Sequence, residues 1–564
     1  MLAQKSRLLQ RLLSSSGRRS AARCSRGLAS VANIVQSPVA DLDLPSGNLV
    51  NYVFKDIAKW NDRIATECAL TGRRYTYAQL HDRVARWSGM LRKLGISKGH
   101  VVAMALPNSP EYPIVFFGAL ALGATVTTIN ITYTAEEIAR QLEDSGAHVL
   151  VGEPFLTPTL DAALKLYKKP THFVTNGPSS SPTAIDLWKV LDDPSVPFVD
   201  PVVLTGEEPA VIPYSSGTTG PPKGVITTHN GFSSHLPTTM HPYFTLEEGE
   251  NQDVYMCVLP FFHIYGMGPI MTCGLHVGAK LLVSAKFDSK TFVRDIHDHQ
   301  VTVLHLVPTL LNFLLNSPTA TPEALRYLRN VMCGAAPVPA TAVAALKDKL
   351  GSSLLFQIGY GMTEVAVATK VPVKDERSGT IGQLLPNVTA KVVDVETGAL
   401  LPPLADGEIC IKTPSLMAGY HNNPAATAET IDAEGWLHTG DVGHYDHDGF
   451  FKIVDRTKEL IKVKGLQVSP SELENILLKH PDVADVGVLG VPHDRMGEAP
   501  RAYIVAKKSL REEDINQFLE PRVAPHKRLV GGVVFVSELP KNSPNICAFM
   551  SQSAWMIVNK AGNK

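Results

Sequence analysis

The sequence predicts an α/β protein: a large N-terminal unit of layered, mostly parallel sheets with helices, closed by a β-rich subdomain and followed by a small α+β unit. Length is the first observation, since 564 residues are too many for one hydrophobic core and require at least two domains. Second, helical patterns alternate with short apolar runs from about residue 45 to about 400, which is how parallel sheets are connected. Third, between Ile381 and Val454 this texture gives way to short β-like runs separated by Gly, Pro and Asp.

Taken in order, residues 1–40 differ from the rest. They hold Lys5, Arg7, Arg11, Arg18, Arg19, Arg23 and Arg26, and the first acid is Asp41. Leu8, Leu9, Leu12 and Leu13 fall at helical spacing between bases, and serine is abundant. An Arg-rich, Ser-rich, acid-poor amphipathic start predicts an organelle transit peptide, mitochondrial in the first place and plastid in the second. Tyr77–Leu94 and Ala135–Ser145 then read as helices, and Val101–Leu106 and His148–Val151 as strands. Tyr112–Ala135 carries no charge and invites comparison with a membrane span, which needs about 20 mostly apolar residues. Gly118 and Gly123 interrupt it and its end is rich in Thr, so a buried helix running into a buried strand is predicted. Ala390–Asp394 and Gly407–Ile411 are strands of the β-rich part. A boundary is placed near Asp455–Arg456, giving a large domain over 45–454, a small one over 455–544 and a tail over 545–564. The small domain has strands at Val486–Leu489, Tyr503–Val505 and Val533–Val536, and helices at Ser471–Lys479 and Glu512–Leu519.

Net charge is −1 with both signs interspersed, so there is no basic face for a nucleic acid. Seven cysteines are scattered and never form a Cys-x-x-Cys pair. A disulfide framework or zinc site is not predicted, and a reducing compartment fits.

Chemistry is concentrated first in Tyr214-Ser215-Ser216-Gly217-Thr218-Thr219-Gly220-Pro221-Pro222-Lys223-Gly224, which follows the apolar run Pro209–Pro213. Glycines let the backbone approach a ligand. Exposed N–H groups with Ser and Thr hydroxyls form a nest for an anion, and Lys223 adds a mobile charge. The order is not that of a Walker loop, because no hydroxyl follows the lysine. A phosphate-holding loop is read here against the alternative of a plain surface loop.

Ser215–Gly224 resembles the signature of the adenylate-forming superfamily, which includes acyl- and aryl-CoA synthetases, 4-coumarate–CoA ligases, luciferases and peptide-synthetase adenylation domains. The likeness extends over about residues 45–541 and is greatest to the 4-coumarate–CoA ligase-like group. It implies an ATP-dependent carboxylic acid–CoA ligase that makes an acyl-adenylate and then an acyl-CoA thioester. ATP, Mg²⁺ and coenzyme A are the implied cofactors, and a fatty or aryl acid the substrate. A luciferase-like oxygenase is the rival enzyme reading.

The resemblance also assigns roles. Ser215, Ser216, Gly217, Thr218, Thr219, Gly220 and Lys223 would hold phosphates, with Lys223 also catalytic. In Pro260-Phe261-Phe262-His263-Ile264-Tyr265-Gly266, the aromatic cluster is either core or an acyl pocket. The family reading puts His263 between acid and thiol sites and Tyr265 in the acid pocket. Lys286 matches a position near coenzyme A. Cys333-Gly334-Ala335-Ala336-Pro337 leaves room for a flat group, either adenine or an aromatic acid, and the family lines both there. Gly359-Tyr360-Gly361-Met362-Thr363-Glu364 offers a ring to stack on a purine, a hydroxyl for a phosphate and a hard oxygen for Mg²⁺. A Thr-Glu pair alone more commonly starts a helix. Gly334 and Gly359 are assigned to the acid pocket and Thr218 with Glu364 to the metal. Asp441, Arg456 and Lys458 would hold ribose or phosphate. Lys462 and Lys464 alternate onto one face of a strand. Lys462, Lys464, Gly465 and Gln467 would serve the thioester-forming arrangement, with Lys462 catalytic.

The family's small domain ends in Pro-Lys, a few residues and then Ser/Thr-Gly-Lys, whose lysine acts in adenylation. Here Pro540-Lys541-Asn542-Ser543-Pro544 is followed by Asn545–Met550 and no Gly-Lys. Losing one such preorganised donor costs about 2.7–4 kcal/mol, so the first half-reaction is expected to be impaired. An impaired nucleotide- or acyl-binding isoform is the corresponding alternative.

Overall fold

A computed structural model describes residues 33–215, 222–246, 251–351, 354–375, 377, 379–456, 460–463, 466–493 and 495–539, apart from the side chains of 462, 466, 467 and 497. Two large mixed sheets and two smaller ones organise the described residues.

The first large sheet has eight strands, in spatial order Gly419–Tyr420, Lys223–Thr228, Pro209–Ser215, Thr125–Thr128, Val101–Ala105, Val149–Gly152, His172–Thr175 and Ile185–Asp186. Its core is parallel, and only the Lys223–Thr228 end is antiparallel. Val101 to Ala105 are buried at every position because both faces are covered. Val102 and Met104 face one core cluster, while Val101, Ala103 and Ala105 face another, as period-two alternation requires.

Tyr112–Ala121 is the predicted buried helix, with no exposed position, and it leads into the buried strand Thr125–Thr128. Trp87 of helix Tyr77–Lys93 donates its indole N–H to the Val115 carbonyl. A Cβ at Gly118 would lie 2.5 Å from the Trp87 ring, so glycine there permits this helix contact. Thr76 and Gln79 cap the Tyr77 helix reciprocally, and Thr134 with Glu137 does the same for Ala135–Ser145. Among the described residues no helix is long and apolar enough to cross a membrane.

The second large sheet has nine strands, ordered Gln383–Leu384, Ala366–Lys370, Leu355–Met362, Asn330–Cys333, Val303–Leu306, Val254–Cys257, Lys280–Val283, Ile64–Cys68 and Arg74–Thr76. Its centre is parallel and its two edges antiparallel.

The β-rich part is a five-stranded antiparallel sheet: Ile34–Gln36, Thr389–Val393, Gly407–Lys412, Leu437–Tyr445 and Phe451–Arg456. One expectation is corrected here. Ile34–Gln36 pairs with Thr389–Val393, Val35 is buried, and Ser37 donates to the Leu384 carbonyl. Strand pairing is thus already present at Ile34, inside the 1–40 segment that composition sets apart, because pairing with residues some 350 positions away leaves no local signal. Residues 1–32, with their basic pattern, lie outside the described part, as do 540–564.

The small C-terminal sheet holds Leu466–Val468, Ile461–Val463, Gly497–Ala506 and Val483–His493, with Val533–Phe535 paired parallel to Gly497–Ala506. Helices Pro470–Leu477 and Glu512–Leu519 cover it, and Leu473, Leu477, Ile515 and Leu519 join its core.

Candidate active site

Asp441 is the centre of the polar geometry. Strands Leu437–Tyr445 and Phe451–Arg456 run antiparallel with Asp441 opposite Arg456. Arg456 Nε donates to Asp441 Oδ1 at 3.1 Å, and Tyr360 Oη donates to Oδ2 at 2.6 Å. The Asp441 backbone N–H donates to Thr439 Oγ1 at 3.0 Å. Asp441 is buried, and burial pushes its carboxyl pKa up against the pull of Arg456 and Tyr360. Burial and the facing Asp441 charge hold the Tyr360 phenol well above its ordinary value. Each carboxylate oxygen keeps a second lone pair, so the cluster can still accept from sugar hydroxyls.

Glu364 lies in the turn between strands Leu355–Met362 and Ala366–Lys370, not at a helix start. Its carbonyl accepts from Met417 N at 2.8 Å, and its Oε1 accepts from Tyr420 Oη at 2.9 Å. Lys223 Nζ sits 4.7 Å from the centre of that same Tyr420 ring. Strand Lys223–Thr228 pairs with Gly419–Tyr420, so the sheet itself brings the lysine to the tyrosine. Burial raises the Glu364 pKa, and the Tyr420 hydroxyl and the charges of Lys223 and Arg456 oppose the rise. Glu364, Lys223 and Arg456 thus share one electrostatic neighbourhood next to Asp441. Ser215 pairs with Lys223 at the base of the hairpin that carries the glycine-rich loop. Tyr214 Oη donates to Asp144 Oδ2, tying that strand to helix Ala135–Ser145.

A second, less polar cluster lies beside it at Gly359, the neighbour of Tyr360 on strand Leu355–Met362. A Cβ at Gly334 would lie 2.8 Å from the Gly359 carbonyl oxygen and 3.8 Å from Tyr265 Cε1, so Tyr265, Gly334 and Gly359 meet. Ala335 holds φ at 65°, a left-handed conformation that is uncommon for a residue with a Cβ and that clusters at ligand sites. Tyr265 Oη lies 3.4 Å from His305 Nδ1. His263 Nδ1 accepts from the Tyr265 N–H at 3.2 Å, leaving Nε2 as the protonated nitrogen of a neutral ring. Burial lowers the His263 pKa to about 4, so it is uncharged at neutral pH.

Residues 53–421 match the family of AMP-binding enzymes, and residues 472–544 match the AMP-binding enzyme C-terminal domain. The chain belongs to the AMP-binding enzyme family. This AMP-binding enzyme is 36% identical to the 4-coumarate–CoA ligase of Pinus taeda over 533 residues, covering 92% of this chain and 96% of that one. It is also 36% identical to 4-coumarate–CoA ligase 3 of Arabidopsis thaliana over 522 residues, 90% and 91% of the two chains. Among solved structures, ATP-bound MatB from Rhodopseudomonas palustris superposes with a TM-score of 0.82 at 28% identity, covering 92% of this chain and 99% of the other. The o-succinylbenzoate CoA synthetase of Bacillus subtilis, in complex with its acyl-adenylate intermediate, gives 0.75 at 25% identity. The fold is that of the adenylate-forming CoA ligases.

Within this AMP-binding enzyme, Ser215, Lys223, Tyr360, Glu364, Asp441 and Arg456 converge, and Tyr265, Gly334 and Gly359 meet beside them. Thr363 lies in the same turn as Glu364, Gly361 pairs with Val367, and Ala336 is half-buried beside Ala335. Lys286 is exposed after strand Lys280–Val283, its carbonyl accepting from Ser284 Oγ. Lys462 lies on strand Ile461–Val463 opposite Gln467, and nothing is described of either side chain. Ser216, Gly217, Thr218, Thr219, Gly220, Lys458, Lys464 and Gly465 lie outside the described residues. Tyr420, Thr439 and His305 were not found from sequence. Tyr420 gives no spacing signal and is brought to the site by strand pairing with Lys223–Thr228, whereas Thr439 lies two residues before Asp441 on the same strand.

Proposed function

We propose that this chain is an ATP-dependent carboxylic acid–CoA ligase. The observation that carries this reading is the buried Asp441, held by Tyr360 and Arg456 beside Glu364 and Lys223. Asp441 binds the ribose hydroxyls, and the Tyr360 ring flanks the adenine. Lys223 and the loop Ser215–Gly220 hold the phosphates as the acid attacks the α-phosphorus and pyrophosphate leaves. Coenzyme A thiol then displaces AMP from the acyl-adenylate, with Lys286, Lys462, Lys464, Gly465 and Gln467 on that side. No covalent enzyme intermediate is needed, and catalysis consists of positioning and charge neutralisation.

Glu364 fits a divalent metal. It is a buried carboxylate with one oxygen used by Tyr420, and Mg²⁺ prefers a carboxylate plus substrate phosphates. Glu364, and by the resemblance Thr218, would hold Mg²⁺, which would supply charge neutralisation at the phosphates. Neutral His263 lies between acid and thiol sites, where its Nε2–H can donate but carries no charge that would repel or attract the thiol.

The acid binds at Tyr265, Gly334 and Gly359. The chain has Asn545–Met550 where the family has Gly-Lys, and this supports a slowed first half-reaction with the second intact. The basic segment 1–32 supports delivery to mitochondria, which a fluorescent fusion of that segment would show.

Acid-dependent ATP–pyrophosphate exchange over a panel of fatty and aryl acids tests the ligase reading. Exchange with any acid identifies the substrate class. Silence with ATP bound, followed by thioester formation from a preformed acyl-adenylate, gives the impaired form. Silence in both assays, in folded protein, rejects a ligase.

A further inference from the structure

Lys370 is 3% exposed, at the end of the hairpin strand Ala366–Lys370. It pairs directly with Gly359, the residue whose carbonyl closes on Gly334 beside Tyr265. Lys370 Nζ donates to Thr245 Oγ1 at 2.6 Å. An ammonium has three donors, and among the described residues no carboxylate lies within ion-pair distance of this one. Lysine is almost never fully buried unless it is paired, and an unpaired buried charge is costly. Thr245 Oγ1 donates in turn to the Thr239 carbonyl, and the Thr239 hydroxyl is itself buried with no hydrogen-bond partner among the described residues. Two neighbouring polar groups therefore have unused capacity in the interior.

Lys370 is linked to Tyr265 from a second side, through His305. His305 Nδ1 is 3.4 Å from Tyr265 Oη. Burial, and after it the charge of Lys370, holds the His305 pKa down at about 3, so lysine and imidazole are electrostatic neighbours. Burial lowers the Lys370 pKa to about 7, and an anion brought next to it would return it to the charged form.

We propose that Lys370 forms a subsite at the closed end of the acid pocket that binds a second carboxylate, so that the preferred acids are dicarboxylic and react through one end only. The inference rests on the ligase reading, because that reading puts the acid at Tyr265, Gly334 and Gly359 with its reacting carboxylate toward the nucleotide. The second carboxylate accepts from the donors of Lys370 that Thr245 leaves free. A site built to bind a polar group rejects analogues lacking it, since its own buried groups are then left unpaired.

The test uses pairs of non-hydrolysable N-acyl-sulfamoyl adenosines with acyl chains of equal length, one ending in a methyl group and one in a carboxylate. Their affinities for the full chain are measured by calorimetry, with ATP measured alongside. In at least one pair the carboxylate form should bind about tenfold tighter or better. Lys370→Met should abolish that preference without weakening the methyl-ended partner, and Lys370→Arg should keep part of it. Melting curves report whether each variant folds, and replacing an unpaired buried charge with methionine should not lower stability. Equal affinity within every pair, or a preference that survives Lys370→Met, overturns the subsite. Failure of both analogues in protein that still binds ATP also overturns it. Failure of ATP as well, in folded protein, overturns the ligase reading beneath it.

Discussion

Asp441 carries two donors on one buried carboxylate, and this decides what its removal does. Asp441→Ala removes the carboxylate that accepts from Tyr360 Oη and Arg456 Nε and with it the acceptor proposed for the ribose. Hydrogen bonds to charged groups are worth about 1.5–3 kcal/mol each, so ATP affinity should fall by about tenfold to a hundredfold. Titration with a fluorescent ATP analogue reads this, and unchanged affinity takes Asp441 out of the nucleotide site. Lys370 makes a prediction of opposite sign for stability. Its folded pKa is depressed to about 7, chiefly by burial, with the Cys273 thiol acting the other way. Between the unfolded value near 10.4 and about 7, the unfolded chain binds a proton that the folded chain does not, so stability falls as pH falls through this window. Lys370→Met removes that dependence. Its melting temperature should exceed that of the wild type by an amount that grows as pH drops from about 10 to about 7 and then levels off. A constant difference would mean that Lys370 is not buried as an unpaired base.

The hairpin Leu355–Met362/Ala366–Lys370 is the element that ties the proposed nucleotide and acid sites together. One strand carries Gly359 and Tyr360, the turn carries Thr363 and Glu364, and the return strand ends at Lys370. Its approach to the strand Asn330–Cys333 is close enough that Gly334 cannot take a methyl group without displacing the Gly359 carbonyl. Gly334→Ala should therefore cost about 1–3 kcal/mol, the usual range for overpacking. It should also weaken acid binding more than ATP binding, since the displaced carbonyl borders the proposed acid site. Urea denaturation gives the first effect and paired acid and ATP titrations the second, and equal losses of both ligands would contradict this placement of Gly334.

Across the whole molecule, Asp455 connects the β-rich sheet to the small C-terminal one. It ends the strand Phe451–Arg456, accepts from the Ser471 N–H at 3.2 Å, and is bonded to the Ser469 hydroxyl. Ser469 caps helix Pro470–Leu477 through the Glu472 N–H, so one buried carboxylate fixes the start of the small unit. Asp455→Ala should speed tryptic cleavage between residues 456 and 464 while ATP still binds. Cleavage at the wild-type rate would show that other contacts hold the two units together.

Much of this was legible before the fold was known. Length, the strand–helix alternation and the Gly/Pro/Asp texture after Ile381 express hydrophobic periodicity and turn chemistry, which act locally. The glycine-rich loop, the Tyr360–Glu364 stretch and Asp441 were legible because each packs its chemistry into a few consecutive residues. Other features were decided only by tertiary structure. Strand Ile34–Gln36 joins a sheet whose other strands begin at Thr389. Tyr420 reaches both Lys223 and Glu364 only because strand pairing bridges segments about two hundred residues apart. Lys370 looks like any other lysine in sequence, and burial opposite Gly359 is what makes it unusual. The sequence by itself determined the class of fold and the residues of each contiguous motif, because propensity and patterning depend on near neighbours. Which of those residues meet, and which charges lose their water, was decided by long-range packing, because desolvation and pairing depend on neighbours that only the folded chain supplies.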